Sequence, residues 1–252
     1  MTSAPAAPLA AHHLVRHFGG VKAVDDVSLT LAHGRLHAVI GTNGAGKSTL
    51  IDLLAGETRP TAGRIELHGH DATGWSQPRR AHAGLGRTYQ RSTIFPAFSV
   101  LENCRLGAQA RTPRAWDWFT PAATCARSTA AAWRALEQTG LVAAAGRLAG
   151  TLSHGGKRQL EIAICLATAP RVLLLDEPLA GMDAAEADRM LALLEALKPD
   201  HAMLLVEHDM DAVFRVADRI TVMTGGRVLA SDAPAAVRAN PAVQVAYLGE
   251  RP

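Results

Sequence analysis

The sequence predicts an α/β fold in which helices cover a largely parallel β-sheet. Three short apolar runs are typical of strands that are buried on both faces: Leu36 to Ile40, Val172 to Leu175 and Met203 to Val206. The chain has 252 residues, of which 48% are hydrophobic and 19% charged, so it is long enough to bury a sizeable core as one large or two modest domains.

The N-terminal part predicts additional strands beside the first buried run. Leu14 to Phe18 form the first expected strand, which ends at the turn Gly19-Gly20. Val27 to Leu31 alternate apolar and polar residues, the pattern of a half-buried strand. After a helix that contains Leu50, Leu53 and Leu54 and stops at Gly56, another strand is expected from Arg64 to Leu67.

The middle of the chain predicts a helical insertion. Ala-rich helical patches run from about Ser99 to Ala149, are broken at Pro113 and Pro121, and show no strand-like alternation. We therefore expect a single domain over residues 9–250, with residues 99–160 as an inserted helical subdomain. Helix is expected again from about Lys157.

The C-terminal part returns to alternating helix and strand. A helix is expected from about Ala184 to Leu197, ahead of the buried run at Met203. Ile220 to Leu229 predict a hairpin that turns at Gly225-Gly226.

Composition excludes several classes of protein. Lys and Arg number 26 against 23 Asp and Glu, a net charge of +3 that gives no indication of a nucleic-acid partner. The cysteines Cys104, Cys125 and Cys165 are odd in number and form no CxxC pair, which favours a reducing compartment over disulfides or zinc. Met1 to Ala11 lack the features of a secretory signal, and no apolar run is long enough to span a membrane. We expect a cytoplasmic chain.

One loop carries a phosphate-binding pattern. Gly41 to Ser48 fit GxxxxGK[ST] between a buried strand and a helix, the context that this motif requires. Glycines let backbone N–H groups wrap around phosphate oxygens, and the helix N-terminus adds positive partial charge. The alternative, a glycine-rich turn that merely joins strand to helix, does not account for the Lys and Ser. The predicted nucleotide site consists of Gly41, Thr42, Asn43, Gly44, Ala45, Gly46, Lys47, Ser48 and Thr49.

Two carboxylates follow a buried strand. In the sequence RVLLLDE, Asp176 and Glu177 come at the carboxyl end of the expected strand. Asp176 can help to hold Mg²⁺ beside the phosphate loop, together with the Ser48 hydroxyl, while Lys47 reaches the β- and γ-phosphates. Glu177 can polarise an attacking water as a general base. Without the phosphate loop, a solvated acidic pair would be an equally good interpretation.

Further motifs resemble those of ATP-binding cassette (ABC) proteins. Leu152 to Gln159 (LSHGGKRQ) resemble the signature motif LSGGQ of that family. Gln90 resembles the Q-loop glutamine, Asp183 lies in a D-loop-like AGMD, and His208 resembles the switch histidine. Phe18 stands where the family usually has an aromatic residue that stacks on adenine. The resemblance covers nearly the whole chain and implies a P-loop NTPase core with a RecA-like mixed sheet, an antiparallel β subdomain and an inserted helical subdomain.

Each of these residues also fits a plainer role when taken alone. Gln90 could be a solvated loop residue, His208 could close a strand, and Phe18 could belong to the core. Asp183 could simply cap the next helix. Their order around the phosphate loop and the acidic strand favours the ABC interpretation.

The resemblance implies a mechanism and partners. Two cassettes would pack head to tail, each holding ATP between its own phosphate loop and the Ser153 and Gly155 of the other. Glu177 would act as base, His208 would contact the γ-phosphate, and Gln90 would help to bind Mg²⁺ and to position the reactants. His154 and Gly156 differ from the residues of the usual signature, which puts in question the strength of the contact between this motif and the ATP of the other cassette. Implied partners are polytopic membrane permeases, a second ABC ATPase (identical or related) and, indirectly, a solute-binding protein, at the cytoplasmic face of the membrane.

Local sequences narrow the branch of the family. Residues 177–183 (EPLAGMD), Glu207 to Met210 (EHDM) and Ala246 to Glu250 (AYLGE) are similar to ATPase subunits of branched-chain amino-acid importers. The segments Gln90 to Pro96 and Ser99 to Asn103 resemble the region where transporter cassettes receive their permeases. Three alternatives stay open: a urea or short-chain amide importer, the lipopolysaccharide-export ATPase and a soluble cassette of iron–sulfur cluster assembly.

Overall fold

The chain divides into two compact units. The computed structural model describes residues 7–90, 93–110 and 125–248, so Pro113, Pro121 and Glu250 of the predictions above lie outside the described residues. The first unit comprises the described residues up to Leu85, Arg171–Glu177 and the residues from Lys198 onward; the second comprises Gly86–Pro170 and Pro178–Leu197. The boundaries 9–250 and 99–160 stay predictions.

Strands and helices alternate along most of the chain. The strands are β1 Leu9–Phe18, β2 Val21–Leu31, β3 Arg35–Gly41, β4 Ala62–Leu67, β5 His70–Asp71, β6 Leu85–Arg87, β7 Val172–Asp176, β8 Ala202–Val206, β9 Arg219–Thr224 and β10 Arg227–Asp232. The helices are α1 Lys47–Ala55, α2 Gln77–His82, α3 Val100–Ala110, α4 Ala126–Gln138, α5 His154–Ala167, α6 Ala184–Leu197, α7 Met210–Val216, α8 Pro234–Ala239 and α9 Pro241–Leu248.

The strands form two sheets of different character. One is antiparallel with the order β2-β1-β4-β5. The other has the order β10-β9-β3-β8-β7-β6, in which β9, β3, β8 and β7 run parallel and β10 pairs antiparallel with β9. The predicted mixed sheet, the separate antiparallel sheet and the C-terminal hairpin at Gly225-Gly226 are confirmed.

Two strands and one helix begin earlier than the sequence pattern predicts. β1 starts at Leu9 instead of Leu14 because irregular pairing between Ala11 and Leu14 leaves both His12 and His13 exposed and interrupts the alternation. β2 starts at Val21 instead of Val27, and its alternation is interrupted near Asp26, which has φ +59°. α5 starts at His154 instead of Lys157.

The core of the first unit surrounds α1. Leu50, Leu53 and Leu54 are fully buried and belong to one apolar cluster with residues of both sheets. Burying each such leucine stabilises the fold by about 1.5–3 kcal/mol. α1 is thereby fixed against β3, and the loop that joins them has a defined position.

The second unit is helical, and its helices pack closely. A Cβ on Gly107 of α3 would lie 2.6 Å from the Ile164 carbonyl oxygen of α5, so the close approach of these helices requires glycine. α3 begins with a capping box in which Ser99 and Glu102 bond each other's backbone N–H groups. Within the described part of the chain, no helix is both long and apolar enough to span a membrane.

Candidate nucleotide site

Residues Gly41 to Ser48 run from the end of β3 through a tight loop into the start of α1. Gly46 caps the helix with φ +99°, in the left-handed region that glycine tolerates, and a Cβ there would collide with the Ala23 carbonyl oxygen. A Cβ on Gly41 would lie 2.5 Å from the Met223 carbonyl oxygen. Both positions therefore need glycine, and the close packing leaves the loop with one backbone path.

Neighbouring backbone supports the loop from one side. The Gly226 N–H donates to the Ala45 carbonyl at 3.1 Å, and the Asp25 N–H donates to the Gly226 carbonyl at 2.8 Å. Arg227 donates to the Asp25 carboxylate through Nε at 2.8 Å, and this hydrogen bond is the main reason that the pKa of Asp25 is lowered. The C-terminal hairpin thus supports the phosphate loop, a role that the sequence gives no sign of.

Lys47 is the buried cation of the loop. Its Nζ donates to the Gly41 carbonyl at 2.6 Å and to the Thr42 carbonyl at 3.2 Å. Burial lowers the pKa of Lys47, while the negative charges of Glu177 and Asp176 oppose that fall. Thr42, Asn43, Gly44 and Ser48 are exposed, so the loop is open to a ligand.

Parallel pairing brings the predicted acidic residues to the same sheet edge as the loop. Asp176 at the end of β7 pairs with Val206 at the end of β8, and Val206 pairs in turn with Val39 of β3. The carboxyl ends of parallel strands form the usual ligand crevice of such sheets. Asp176 is buried and Glu177 is half-buried.

Glu177 has an unusual backbone conformation. Its φ of +48° lies in the left-handed region, which costs a non-glycine residue about 1–2 kcal/mol. Its N–H donates to the Val206 carbonyl at 2.9 Å, which holds the residue beside the end of β8. Strain held by the surrounding structure is a recurring feature of functional sites.

His208 lies just beyond β8 beside a buried carboxylate. The His208 side chain is 62% exposed, whereas Glu207 is fully buried, and 3.7 Å separate His208 Nδ1 from Glu207 Oε2. The His208 N–H also donates to Glu207 Oε2 at 3.1 Å. Asp209 caps α7 by accepting from the Ala212 N–H. Glu207 belongs to no predicted site, and the sequence marks it only by its position directly after a buried strand.

The aromatic ring of Phe18 lies at the end of β1 and is exposed. The Arg16 guanidinium covers one face of this ring at 4.5 Å from its centroid. The predicted stacking on adenine therefore has to use the other face of the ring or displace Arg16.

The predicted residues of the second unit form their own group around α5. The exposed Gln90 is anchored through its backbone, because Arg158 donates to the Gln90 carbonyl at 2.6 Å and to the Tyr89 carbonyl at 2.8 Å. Arg158 is itself paired with Glu161 at 2.9 Å. Arg91 and Ser92, which follow Gln90 in the predicted permease region, lie outside the described residues.

Ser153 and Gly155 lie at the N-terminus of α5. The Ser153 Oγ accepts from the Gly156 N–H at 3.1 Å, as a helix N-cap does. Asp183 accepts from the Glu186 N–H at 2.7 Å near the start of α6. His154, which departs from the family signature, has Nε2 at 2.9 Å from the Ala180 carbonyl oxygen.

The donor set suits Mg²⁺ bound together with nucleotide phosphates. The Ser48 hydroxyl and the Asp176 carboxylate offer the oxygen ligands that this ion prefers. Among the residues described, no group of three His, Cys, Asp or Glu side chains could hold a metal ion alone.

The family described as ABC transporter matches residues 24–180, more than half of the chain. The chain belongs to the ABC transporter family. Binding and hydrolysis of ATP are the general activity of its cassettes, and this cassette has the corresponding phosphate loop. A second match, to the family described as branched-chain amino acid ATP-binding cassette transporter, covers residues 227–252.

Curated relatives cover nearly all of this cassette. BraF of Pseudomonas aeruginosa, a high-affinity branched-chain amino acid transport ATP-binding protein, is 40% identical over 245 residues, which are 94% of this chain and 96% of BraF. LivG of Escherichia coli, which carries the same description, is 37% identical over 255 residues, 96% of this chain and 98% of LivG.

A solved structure confirms the fold class. The ADP conformation of MJ1267, an ATP-binding cassette of an ABC transporter, is 29% identical, with a TM-score of 0.87 over 97% of this chain and 100% of that chain.

Proposed function

We propose that this cassette is the ATP-hydrolysing subunit of an importer for branched-chain or related amino acids. The observation that carries the proposal is the sequence identity of 37–40% to BraF and LivG over almost the whole length of each. The match of residues 227–252 to the branched-chain family supports the same branch from a separate part of the chain.

In this proposal the first unit binds and cleaves the nucleotide. Backbone N–H groups of the phosphate loop and the Lys47 ammonium hold the β- and γ-phosphates, with Phe18 against the adenine. Ser48 and Asp176 are the candidate ligands of Mg²⁺ within this unit, and the ion when bound neutralises phosphate charge. Glu177 accepts the proton of the attacking water, and His208 donates a hydrogen bond to the γ-phosphate.

The second unit supplies the contact to a partner cassette. Ser153 and Gly155 at the N-terminus of α5 offer a hydroxyl and an N–H group to the γ-phosphate bound by the other copy, where the helix dipole favours negative charge. Asp183 lies in the loop that would face the same interface. ATP then favours the closed pair because only that state makes both sets of contacts.

An exposed apolar surface of the second unit is the proposed docking site for the permeases. Phe95 and Phe98 are exposed and stack with their ring centroids 5.5 Å apart, and Leu148 is exposed as well. The buried Asn103 fixes Phe95 by accepting from its N–H at 2.8 Å and donating to its carbonyl at 3.0 Å. A rigid apolar surface of this kind favours a protein partner, and the subunit would act at the cytoplasmic face of the membrane.

The test is a pull-down of tagged Glu177→Gln protein from native membranes in the presence of ATP. We expect two polytopic permeases, a second cassette and a solute-binding protein, and the binding protein should bind leucine, isoleucine or valine in calorimetry. The Phe95→Ser/Phe98→Ser variant, with the same tag, should lose the permeases. Recovery of soluble partners alone would overturn the transport function, and a binding protein selective for urea or an amide would correct the solute.

A further inference from the structure

The N-terminus of α5 is already occupied by a carboxylate of the same chain. Glu186 of α6 accepts from the Ser153 hydroxyl at 2.9 Å and from the Gly155 N–H at 3.2 Å, both through Oε1. The fit is close, since a Cβ on Gly155 would lie 2.7 Å from the Glu186 carboxyl carbon. All three residues belong to the second unit.

A second contact holds the same two segments together. His154 Nε2 lies 2.9 Å from the Ala180 carbonyl oxygen, and a Cβ on Gly181 would lie 3.1 Å from the same nitrogen. The Asp183 side chain bonds the Glu186 N–H at 2.7 Å and so fixes the start of α6. The Glu186 backbone is therefore fixed at the start of α6. Its side chain is only half-buried, so a competing anion can displace it.

The donors that Glu186 uses are the donors that the proposed function assigns to a nucleotide. A Ser hydroxyl has one proton to donate, and a backbone N–H has one as well, so neither can fully serve a carboxylate and a phosphate at once. Two anions at one helix N-terminus also repel each other. Glu186 and the γ-phosphate of the partner's ATP therefore exclude each other at this position.

We infer that Glu186 is an internal competitor of the γ-phosphate, which has to leave Ser153 and Gly155 before two cassettes can close on ATP. This inference rests on the proposed function, since it assumes the head-to-tail pair. Glu186 raises the ATP concentration that closure needs and keeps the signature helix capped in the open state. It does not take part in nucleotide binding by the phosphate loop of its own chain.

The contact is tested first in protein without nucleotide. Glu186→Gln keeps the shape of the side chain and removes its charge, which weakens the hydrogen bonds that it accepts. We expect the amide proton resonance of Gly155 to move upfield in the ¹⁵N-resolved NMR spectrum, while phosphate-loop amides stay in place. An unchanged Gly155 resonance in both Glu186→Gln and Glu186→Ala would contradict the contact.

Competition is tested by ATP titration of the dimer. In the Glu177→Gln background, Glu186→Gln should lower the ATP concentration for half-maximal dimer formation about three- to tenfold, and Glu186→Ala should lower it further. Light scattering after size exclusion measures the dimer. Glu195→Gln changes an exposed position of the same helix and is the matched control, which should leave that concentration unchanged. The affinity of each monomer for ATP, measured by calorimetry, should also stay unchanged.

The outcomes separate this inference from the proposed function. If Glu177→Gln alone forms an ATP-dependent dimer and both Glu186 variants need as much ATP or more, the competition is wrong and the head-to-tail pair stands. If Glu177→Gln forms no dimer at any ATP concentration, the pair itself is wrong and the competition falls with it.

Discussion

The Lys47 ammonium is held over its own loop by two carbonyl oxygens, at 2.6 and 3.2 Å. A bound phosphate would replace these neutral carbonyl acceptors with negatively charged oxygens, which attract the ammonium more strongly. The negative charges of Glu177 and Asp176 oppose the fall of the Lys47 pKa and so favour the charged ammonium. The loop thus keeps a cation ready at the place where phosphates are expected.

Lys47→Ala should lower the affinity for MgATP by at least about a hundredfold, because a buried charge-assisted bond to phosphate has no replacement. Isothermal titration calorimetry measures the affinity, and a thermal melt checks that the variant is folded. Lys157→Ala, which removes a lysine outside the loop, should bind as the unaltered protein does. Retained affinity in Lys47→Ala would contradict the assignment of the phosphate loop.

His37 makes stability depend on pH. Burial lowers the pKa of His37 in β3 to about 4, and its Nε2 lies 2.7 Å from the Thr221 hydroxyl. In the unfolded chain the imidazole takes up a proton near pH 6.5, so between pH 6.5 and 4 the unfolded state binds more protons. The contribution of neutral His37 to the free energy of unfolding is therefore fully present above pH 6.5, and it is lost as the pH falls towards 4.

His37→Gln should remove about 2 kcal/mol of the stability loss between pH 7 and pH 5, because glutamine does not titrate there. The free energy of unfolding at each pH comes from urea denaturation. The exposed His33→Gln serves as the control, since it should lose stability with pH as the unaltered protein does. An equal pH dependence in His37→Gln and His33→Gln would show that His37 does not titrate as its burial requires.

The candidate site residues that belong to short motifs are evident in the sequence, whereas the residues that support them are not. Asp176 is the last residue of the buried strand β7 and Glu177 follows it directly, so the sequence alone indicates that both lie at the strand's carboxyl end. Arg158 and Glu186 bond residues that are distant in sequence, 68 and 33 positions away in the contacts to Gln90 and Ser153. Only the fold brings such pairs together, and no local pattern announces them.

At the scale of elements, α1 depends on a buried arginine. Arg80 of α2 is almost fully buried and donates to the carbonyls of Leu53, Leu54 and Ala72 at 2.7–2.8 Å. Two of these carbonyls belong to the last turn of α1, where helix carbonyls lack partners within the helix. The guanidinium therefore completes the end of the helix whose beginning forms the phosphate loop, and burial lowers the pKa of Arg80 to about 10.

Arg80→Met should destabilise the protein by about 3–5 kcal/mol, because three buried carbonyls each lose a hydrogen bond from the guanidinium. The midpoint of urea denaturation measures the loss. Arg79→Met is the matched control: Arg79 is exposed and lies over the Trp75 ring, a contact that contributes about 0.5–1 kcal/mol at exposed sites. Equal midpoints for the two variants would refute the role of Arg80.

Elements with a regular apolar pattern could be predicted from the sequence, whereas the bounds predicted for irregular elements are too short. Ala184–Leu197 was predicted with its observed bounds because apolar residues recur at helical spacing. β1 and β2 were predicted too short, since a strand that changes register or contains a left-handed Asp26 no longer alternates. The start of α5 at His154 was missed because Gly155 and Gly156 are poor helix formers. Its N-cap Ser153 compensates for them.

At the scale of the whole molecule, we propose that one chain contributes two different groups of residues to two nucleotide sites. The first unit carries the phosphate loop, Asp176, Glu177 and His208, and the second carries Ser153 and Gly155. In the proposed head-to-tail pair, both groups act on each nucleotide. Such a pair would be stable only as long as the γ-phosphate joins the copies, so we expect hydrolysis to separate them.

Glu177→Gln should trap this pair. The amide cannot accept the proton of the attacking water, so steady-state hydrolysis should fall by about 10²–10⁴-fold, while the phosphate loop still binds ATP. With ATP the variant should elute as a dimer in size exclusion with light scattering, and with ADP it should elute as a monomer. Adding Lys47→Ala should abolish the dimer, since no phosphate is then bound to bridge the copies, and Glu195→Gln should hydrolyse ATP at the unaltered rate. A Glu177→Gln protein that hydrolyses ATP at the normal rate would remove Glu177 from the role of base, and one that stays monomeric in ATP would contradict the head-to-tail pair.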